Sequence, residues 1–134
     1  MFRAFIIHLI ARASRIRHAM TDSCIFCKIV SGDAKAEIVY RDEKATAFRD
    51  IHPVARTHIL IVPNKHIESV GSLEAEDEPL IGHLFVVAQK IAREEDIAHS
   101  GFRLITNTGA DGGQTVYHLH VHFIGGNRMK HPMG

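Results

Sequence analysis

One eight-residue stretch constrains this chain more than any other: Tyr117-His118-Leu119-His120-Val121-His122-Phe123-Ile124, in which three histidines alternate with apolar residues. Successive side chains of a β-strand point to opposite faces. Read as a strand, the stretch places His118, His120 and His122 on one face and Leu119, Val121 and Phe123 on the other. A helix would rotate the rings by about 200° at each two-residue step and scatter them. The apolar members are strand formers with the alternation of a half-buried strand. The row of imidazoles, with neighbouring Cα atoms roughly 6.5–7 Å apart, is thus backed by a core. Glycines bracket it: Gly109-Ala110-Asp111-Gly112-Gly113-Gln114 before, Gly125-Gly126 after. Glycine lets backbone approach a ligand closely and turns N–H groups toward an anion. One histidine in a strand is usually an ordinary polar residue. Three in strict alternation beside an amide-rich loop suggest a site that handles phosphate.

The 134 residues are enough for one domain, which at this size buries roughly two thirds of its unfolded surface without a covalent staple. The net charge of +1 hides an asymmetry. Four arginines (Arg3, Arg12, Arg15, Arg17) and no acid lie in residues 1–19, so the remainder sets twelve basic residues against fifteen acidic ones. That mildly acidic domain argues against a nucleic-acid binder. No apolar run approaches the ~18–20 residues of a membrane span, so neither nucleic acid nor membrane is an expected partner. Two cysteines, Cys24 and Cys27, are not the framework of a secreted disulfide domain. A reducing, soluble compartment, the cytoplasm, is the simplest location.

Residues 1–19 differ in composition from the rest of the chain. The apolar run Phe5 to Ile10 is short and broken by His8 for a secretory signal, although Ala11-Arg12-Ala13 resembles a cleavage site. An Arg-rich, acid-poor stretch also suits an organelle transit peptide. A third reading takes Met20 as the true start. It is preferred because Met20-Thr21-Asp22-Ser23 opens the globular pattern cleanly. The expected division is therefore an extension, 1–19, disordered or loosely helical and without a role in the chemistry, and a domain, 20–134.

Within the domain, Asp22 or Ser23 is expected to cap a short helix from Ile25 to Val30 that stops at Ser31-Gly32. Glu37 to Tyr40 and Lys44 to Asp50 form a hairpin around Arg41-Asp42-Glu43. His58 to Val62 is a strongly β-prone strand ended by Pro63-Asn64. Pro79, with Asp77 and Glu78, suits the first turn of a helix. Leu80, Leu84, Val87, Ala88 and Ile91 make that helix amphipathic over roughly 15–18 residues. His83 lies within it and reads as structural. Phe102 to Asn107 is a further strand, then come the glycine loop and the histidine strand. The fold class is α+β: a five-stranded antiparallel sheet with one long helix and a short N-terminal helix.

The residues leave the chemistry open. A neutral imidazole is a competent nucleophile toward phosphorus at neutral pH, and His120 is the middle of the three. Its neighbours would then hydrogen-bond the phosphate or hold charge opposite it, with no metal at the reacting atom. Alternatively His-x-His on a strand suits zinc, and a third histidine completes an open catalytic site. Cys24-x-x-Cys27 with two histidines would instead make a closed structural zinc site. By spacing alone a single Cys-x-x-Cys is a weak signal that also fits a redox pair or a small core residue.

His118-x-His120-x-His122 after Gly112-Gly113-Gln114-Thr115-Val116-Tyr117 resembles the histidine-triad (HIT) superfamily. The resemblance runs from about Cys24 to the C-terminus. It includes Ile25-Phe26-x-Lys28-Ile29, Ala47-Phe48-x-Asp50-Ile51-x-Pro53, Thr57-His58-x-Leu60-x-Val62-Pro63 and Lys65-His66-Ile67. Asn107-x-Gly109-x-Asp111-Gly112-Gly113-Gln114 and Gly125-Gly126 extend it. The Hint-type, phosphoramidase-like branch is the most similar. The resemblance implies a homodimer whose two five-stranded sheets run on as one, and hydrolysis of a nucleoside monophosphate, purine favoured, linked to an amine or acyl group. A nucleotide-sensing or partner-binding module with incidental turnover is the alternative. By motif position His120 is the nucleophile, His122 and the amides around Gly113 bind the α-phosphate, and His58 orients the triad. Asn107, Gln114 and Thr115 face phosphate and leaving group, and Asp50 accepts the ribose hydroxyls. Ile25, Phe26, Ile29, Phe48, Ile51 and Leu60 wall the base. No cofactor is implied for the chemistry. A structural zinc is implied by similarity to those bacterial members that carry Cys-x-x-Cys, with Cys24, Cys27, His66 and His118 as ligands. His131 stands where eukaryotic relatives carry tryptophan, which leaves the leaving-group preference open.

Overall fold

The computed structural model describes residues 23–134, so the expectations for residues 1–19 and for Asp22 lie outside the described residues. The chain divides into two compact units after Lys35.

The first unit carries helix α1 (Ile25–Ser31), which buries Phe26 and Ile29. Its N-cap is not Ser23. Cys24 takes that position with extended backbone, and its sulfur accepts the Cys27 N–H at 3.4 Å. The helix stops at Gly32, whose φ of 89° is a left-handed cap.

The second unit is an antiparallel sheet of five strands in the order β1-β2-β3-β5-β4. The strands are β1 (Ile38–Arg41), β2 (Ala45–Arg49), β3 (Thr57–Pro63), β4 (Phe102–Ile105) and β5 (Val121–Gly125). Between β3 and β4 two short 3-10 turns (Val70–Ser72 and Ala75–Asp77) lead into the 17-residue helix α2 (Glu78–Glu94), with Pro79 in its first turn as expected. Alternation then decides the layers. Ala45 and Ala47 of β2, Ile59 and Ile61 of β3, and Val121 and Phe123 of β5 pack with Leu84, Val87, Ala88 and Ile91 of α2 in one core. The intervening residues Phe48, His58, Leu60, His122 and Ile124 therefore belong to the opposite face.

The histidine strand is shorter than expected. β5 begins at Val121, and residues 117–120 are irregular. The β3–β5 ladder runs from Thr57↔Gly125 to Ile61↔Val121 and stops there. Two residues further on, Pro63 has no N–H to offer, and its carbonyl accepts the His118 ring at 2.8 Å. The Leu119 N–H goes to Ile67 O at 2.6 Å instead. His118 and His120 are thus held by side-chain and loop hydrogen bonds, and only His122 by the ladder. The apolar half of the expectation stands, since Leu119, Val121 and Phe123 all enter the core.

His83 is structural. Its Nε2 lies 2.6 Å from Asp42 Oδ2, which also accepts the Tyr40 hydroxyl at 2.6 Å, so α2 is tied to the β1–β2 turn. Burial pushes the Asp42 carboxyl up, but hydrogen bonds from Tyr40, the Lys44 N–H, His83 and the Ala45 N–H prevail and hold it well below the usual carboxylate range.

Candidate active site

The face of the sheet opposite α2 presents a chain of imidazoles whose tautomers are set by their partners. The Val54 N–H donates to His58 Nδ1 at 3.1 Å, so the His58 proton is on Nε2. That N–H points at His122 Nδ1, 2.9 Å away, with Asp50 Oδ2 at 3.3 Å as a second acceptor. His122 therefore accepts on Nδ1 and carries its own proton on Nε2. Burial lowers the His58 pKa, with the Asp50 charge opposing. Burial first, then the neighbouring His120 and His58, bring His122 down to about 4. Both rings are neutral at pH 7.

His120 lies with its ring centroid 5.0 Å from that of His122. Its Nδ1–H donates to the carbonyl of His118 at 2.7 Å, which leaves the lone pair on Nε2. Its own carbonyl accepts the Thr106 hydroxyl at 2.9 Å. The Nδ1 proton is thus held by a carbonyl, so that in the neutral tautomer Nε2 carries the lone pair a nucleophile needs.

His118 is fully buried and turned away to a different partner. Its Nε2–H donates to Pro63 O, and its Nδ1 faces His66 Nδ1 at 3.2 Å. A ring held by a backbone carbonyl on one nitrogen, with the other aimed at a second imidazole, suits metal ligation. Two nitrogens bound to one tetrahedral zinc stand about 3.3–3.4 Å apart, close to the observed separation. Burial brings His118 down to about 4, against the Pro63 hydrogen bond, which keeps it in the neutral form that a metal requires. In the first unit Cys24 and Cys27 occupy one helical turn, and the Cys27 thiol is pushed up to about 12 by burial and by Cys24. Thiols and imidazoles are the donor types that zinc prefers.

The glycine loop is tightly turned. A Cβ on Gly112 would come 2.4 Å from the Thr108 carbonyl oxygen, and Gly113 has a φ of +79°. Gln114 is buried and knits the loop. Its Nε2 donates to Glu68 O (2.7 Å) and Val116 O (3.0 Å), and its Oε1 accepts the Gly109 N–H at 2.9 Å. Thr115 and Gly113 are exposed and Asn107 is half-buried. Of the expected wall, Phe48 and Leu60 are buried on the face opposite α2, and Ile51 is 84% exposed in the loop after Asp50. Asp50 itself is oriented by the His52 N–H, which donates to its Oδ1 at 2.9 Å.

A family model described as "Scavenger mRNA decapping enzyme C-term binding" matches residues 23–134. The chain belongs to the histidine-triad superfamily. This HIT chain is 50% identical over 110 residues to the purine nucleoside phosphoramidase of Escherichia coli K12, covering 82% of this chain and 92% of that protein. It superposes on a HIT family hydrolase from Legionella pneumophila with a TM-score of 0.81 at 42% identity, covering 84% of this chain and all of that one. A histidine triad protein from Clostridium difficile gives 0.80 at 43% identity, covering 82% and 96%. The chain is a hydrolase of the HIT type.

Two supports escaped the sequence reading. The Val54 N–H that sets His58, and the Thr106 hydroxyl on the His120 carbonyl, are contacts of backbone groups and carry no motif. Lys65 carries one faint signal: it precedes His66, and its amine pairs with the buried Asp77 at 2.7 Å. Among the described residues no helix is long and apolar enough to cross a membrane.

Proposed function

We propose that this hydrolase cleaves a nucleoside 5′-monophosphate, with a purine favoured, from an amine, acyl or similar leaving group through a nucleotidyl-histidine on His120. The observation that carries the reading is the bond from His120 Nδ1–H to the His118 carbonyl, which puts the proton of the neutral ring on Nδ1 and its lone pair on Nε2. In the first step Nε2 forms a bond to phosphorus and the bond to the leaving group breaks. The departing nitrogen takes a proton from solvent, while the His122 Nε2–H donates a hydrogen bond to the phosphoryl oxygen. In the second step water attacks phosphorus, the bond from phosphorus to His120 Nε2 breaks, the water's proton passes to solvent, and His120 is released with the nucleoside monophosphate.

The remaining roles match the family pattern. The amides around Gly113 and the His122 ring would hold the α-phosphate. Asn107 and Thr115 would face phosphate and leaving group, and Gln114 would serve by holding their loop in shape. Asp50 would accept the ribose hydroxyls with its remaining lone pairs, and Ile25, Phe26, Ile29, Phe48, Ile51 and Leu60 would wall the base. His58 would orient His122.

Zinc on Cys24, Cys27, His66 and His118 would be structural. It would stabilise the fold and supply no step of the reaction. A homodimer with one continuous sheet would form along β4. Among the described residues β4 is paired on one side only, and Phe85 and Val86 of α2 are about half exposed. Cysteines kept as thiols suit the cytoplasm.

The test is AMP release from adenosine 5′-phosphoramidate by wild type and His120→Ala, each with and without chelator. Turnover that survives chelation and is lost in His120→Ala is the expected result. Turnover lost on chelation while the fold persists would move the chemistry to a metal. No turnover by the folded wild type would favour a nucleotide-binding module instead.

A further inference from the structure

The last rung of the ladder between β3 and β5 pairs Thr57 with Gly125, one residue ahead of His58. Beyond it the two chains stay together. Gly126 turns with a φ of +84°, and a Cβ there would come 2.9 Å from the Arg56 Cβ and 3.2 Å from the Thr57 hydroxyl oxygen. At the next residue, Asn127 Oδ1 accepts the Arg56 N–H at 3.0 Å, across 71 positions of sequence. This contact closes a ring. From Arg56 the chain runs back to Val54, whose N–H is held by His58 Nδ1 at 3.1 Å. His58 Nε2–H donates to His122 Nδ1, and β5 leads from His122 back to Asn127. The amide that sets both tautomers therefore lies in a segment, 54–56, that belongs to no helix or strand. Pro53 has no N–H to tether it. On its near side the loop is held by the His52 N–H on Asp50 Oδ1 and the Asp50 N–H on the His58 carbonyl, and on its far side by Asn127.

We propose that Asn127 is a positioning residue for the imidazole relay. Its side-chain oxygen, backed by the turn at Gly126, holds segment 54–56 where the Val54 N–H reaches His58, and through His58 it keeps the His122 proton on Nε2. A retreat of the Val54 amide by about 0.5 Å from its present 3.1 Å takes it out of hydrogen-bond range. A neutral imidazole has one N–H, and His58 without the Val54 donor is free to carry it on Nδ1. His58 Nε2 then becomes an acceptor and draws the His122 proton to Nδ1. His122 would meet a phosphoryl oxygen with a lone pair in place of a donor. The effect on turnover rests on the nucleotide-hydrolase reading above, whereas the effect on the tautomers does not.

The experiment compares wild type with Asn127→Leu, which keeps the volume and removes the acceptor, and with Asn127→Asp, which keeps the acceptor. Nitrogen NMR of the imidazoles in the full chain reads the tautomers, amide exchange reads Val54 and Arg56, and kinetics on adenosine 5′-phosphoramidate reads turnover. In the wild type His58 and His122 should each show one tautomer, with the proton on Nε2. In Asn127→Leu both amides should exchange faster and a second tautomer should appear in both rings. Its kcat should fall about 2–10-fold, what one ordinary hydrogen bond supplies, with KM little changed. Asn127→Asp should stay close to wild type in all three readouts. A lower Tm in Asn127→Leu with the tautomers unchanged makes Asn127 a structural residue only and overturns the proposal, as does faster exchange at Arg56 alone. A second tautomer with kcat unchanged overturns the role in turnover. Mixed tautomers in the wild type overturn the relay itself. A second tautomer in Asn127→Leu, with no turnover by the folded wild type, supports the positioning role and overturns the phosphoramidate reading alone.

Discussion

His58 Nε2 lies 2.9 Å from His122 Nδ1, and the direction of that hydrogen bond is set from the main chain, because the far nitrogen of His58 accepts the Val54 N–H. One amide therefore determines which nitrogen of each ring carries a proton. Removing His58 leaves His122 free to take the wrong tautomer. His58→Ala is expected to lower kcat about 10–100-fold, the range for groups that orient a working imidazole, with a smaller change in KM. Steady-state kinetics on adenosine 5′-phosphoramidate measures both, and an unchanged kcat would remove His58 from the relay.

The same burial makes stability depend on pH. His58 and His122 are held below their ordinary pKa of 6.5, His122 near 4, so the unfolded chain binds protons that the folded chain refuses. Their contribution is complete above pH 6.5 and is lost as pH falls toward 4. Asp42 and Asp77 are also lowered, but from a carboxylate's ordinary value, and act at more acid pH. The urea midpoint should therefore decline between pH 6.5 and 4, and less steeply in a His58→Gln variant. A flat midpoint over that window would contradict neutral buried rings.

Chelation separates structure from chemistry. With zinc on Cys24, Cys27, His66 and His118, a strong chelator should lower Tm by about 5 °C or more, and Cys24→Ser should lower the bound metal and the Tm together. Activity well below the Tm should persist. Metal analysis of purified protein, with a melting curve, reads this directly, and a Tm indifferent to both treatments would dismiss the site.

Gln114 is a scaffold for the loop. Its amide joins Gly109, Glu68 and Val116 in a buried position. Gln114→Ala would leave those backbone groups without their partner at a cost of about 1–3 kcal/mol. It should raise KM more than it lowers kcat, because the phosphate-facing amides lose their arrangement. Denaturant unfolding and kinetics on the same variant test both halves. Retained stability with lost kcat would give Gln114 a direct part in the chemistry instead.

The layers of the fold were legible because they rest on periodicity. The alternation of Leu119, Val121 and Phe123 with the three histidines, and the spacing of Leu84, Val87, Ala88 and Ile91, lead to a sheet with a helix packed on one face. The roles of the three histidines were legible only through resemblance. The strand reading put all three on one ladder face. Pro63 ends that ladder, and His118 turns to His66. The Cys24 cap was missed because sulfur is an uncommon capping acceptor beside the Asp and Ser that precede it.

The acceptor that fixes His120 is a peptide carbonyl. Every amino acid at position 118 brings the same oxygen, so mutation there can abolish metal binding and still pass on the nucleophile's proton arrangement unchanged. Ligation and attack, adjacent in the motif, are free to evolve apart: the first is written in a side chain and can be lost, the second is written in the backbone and is inherited by any sequence that keeps the turn.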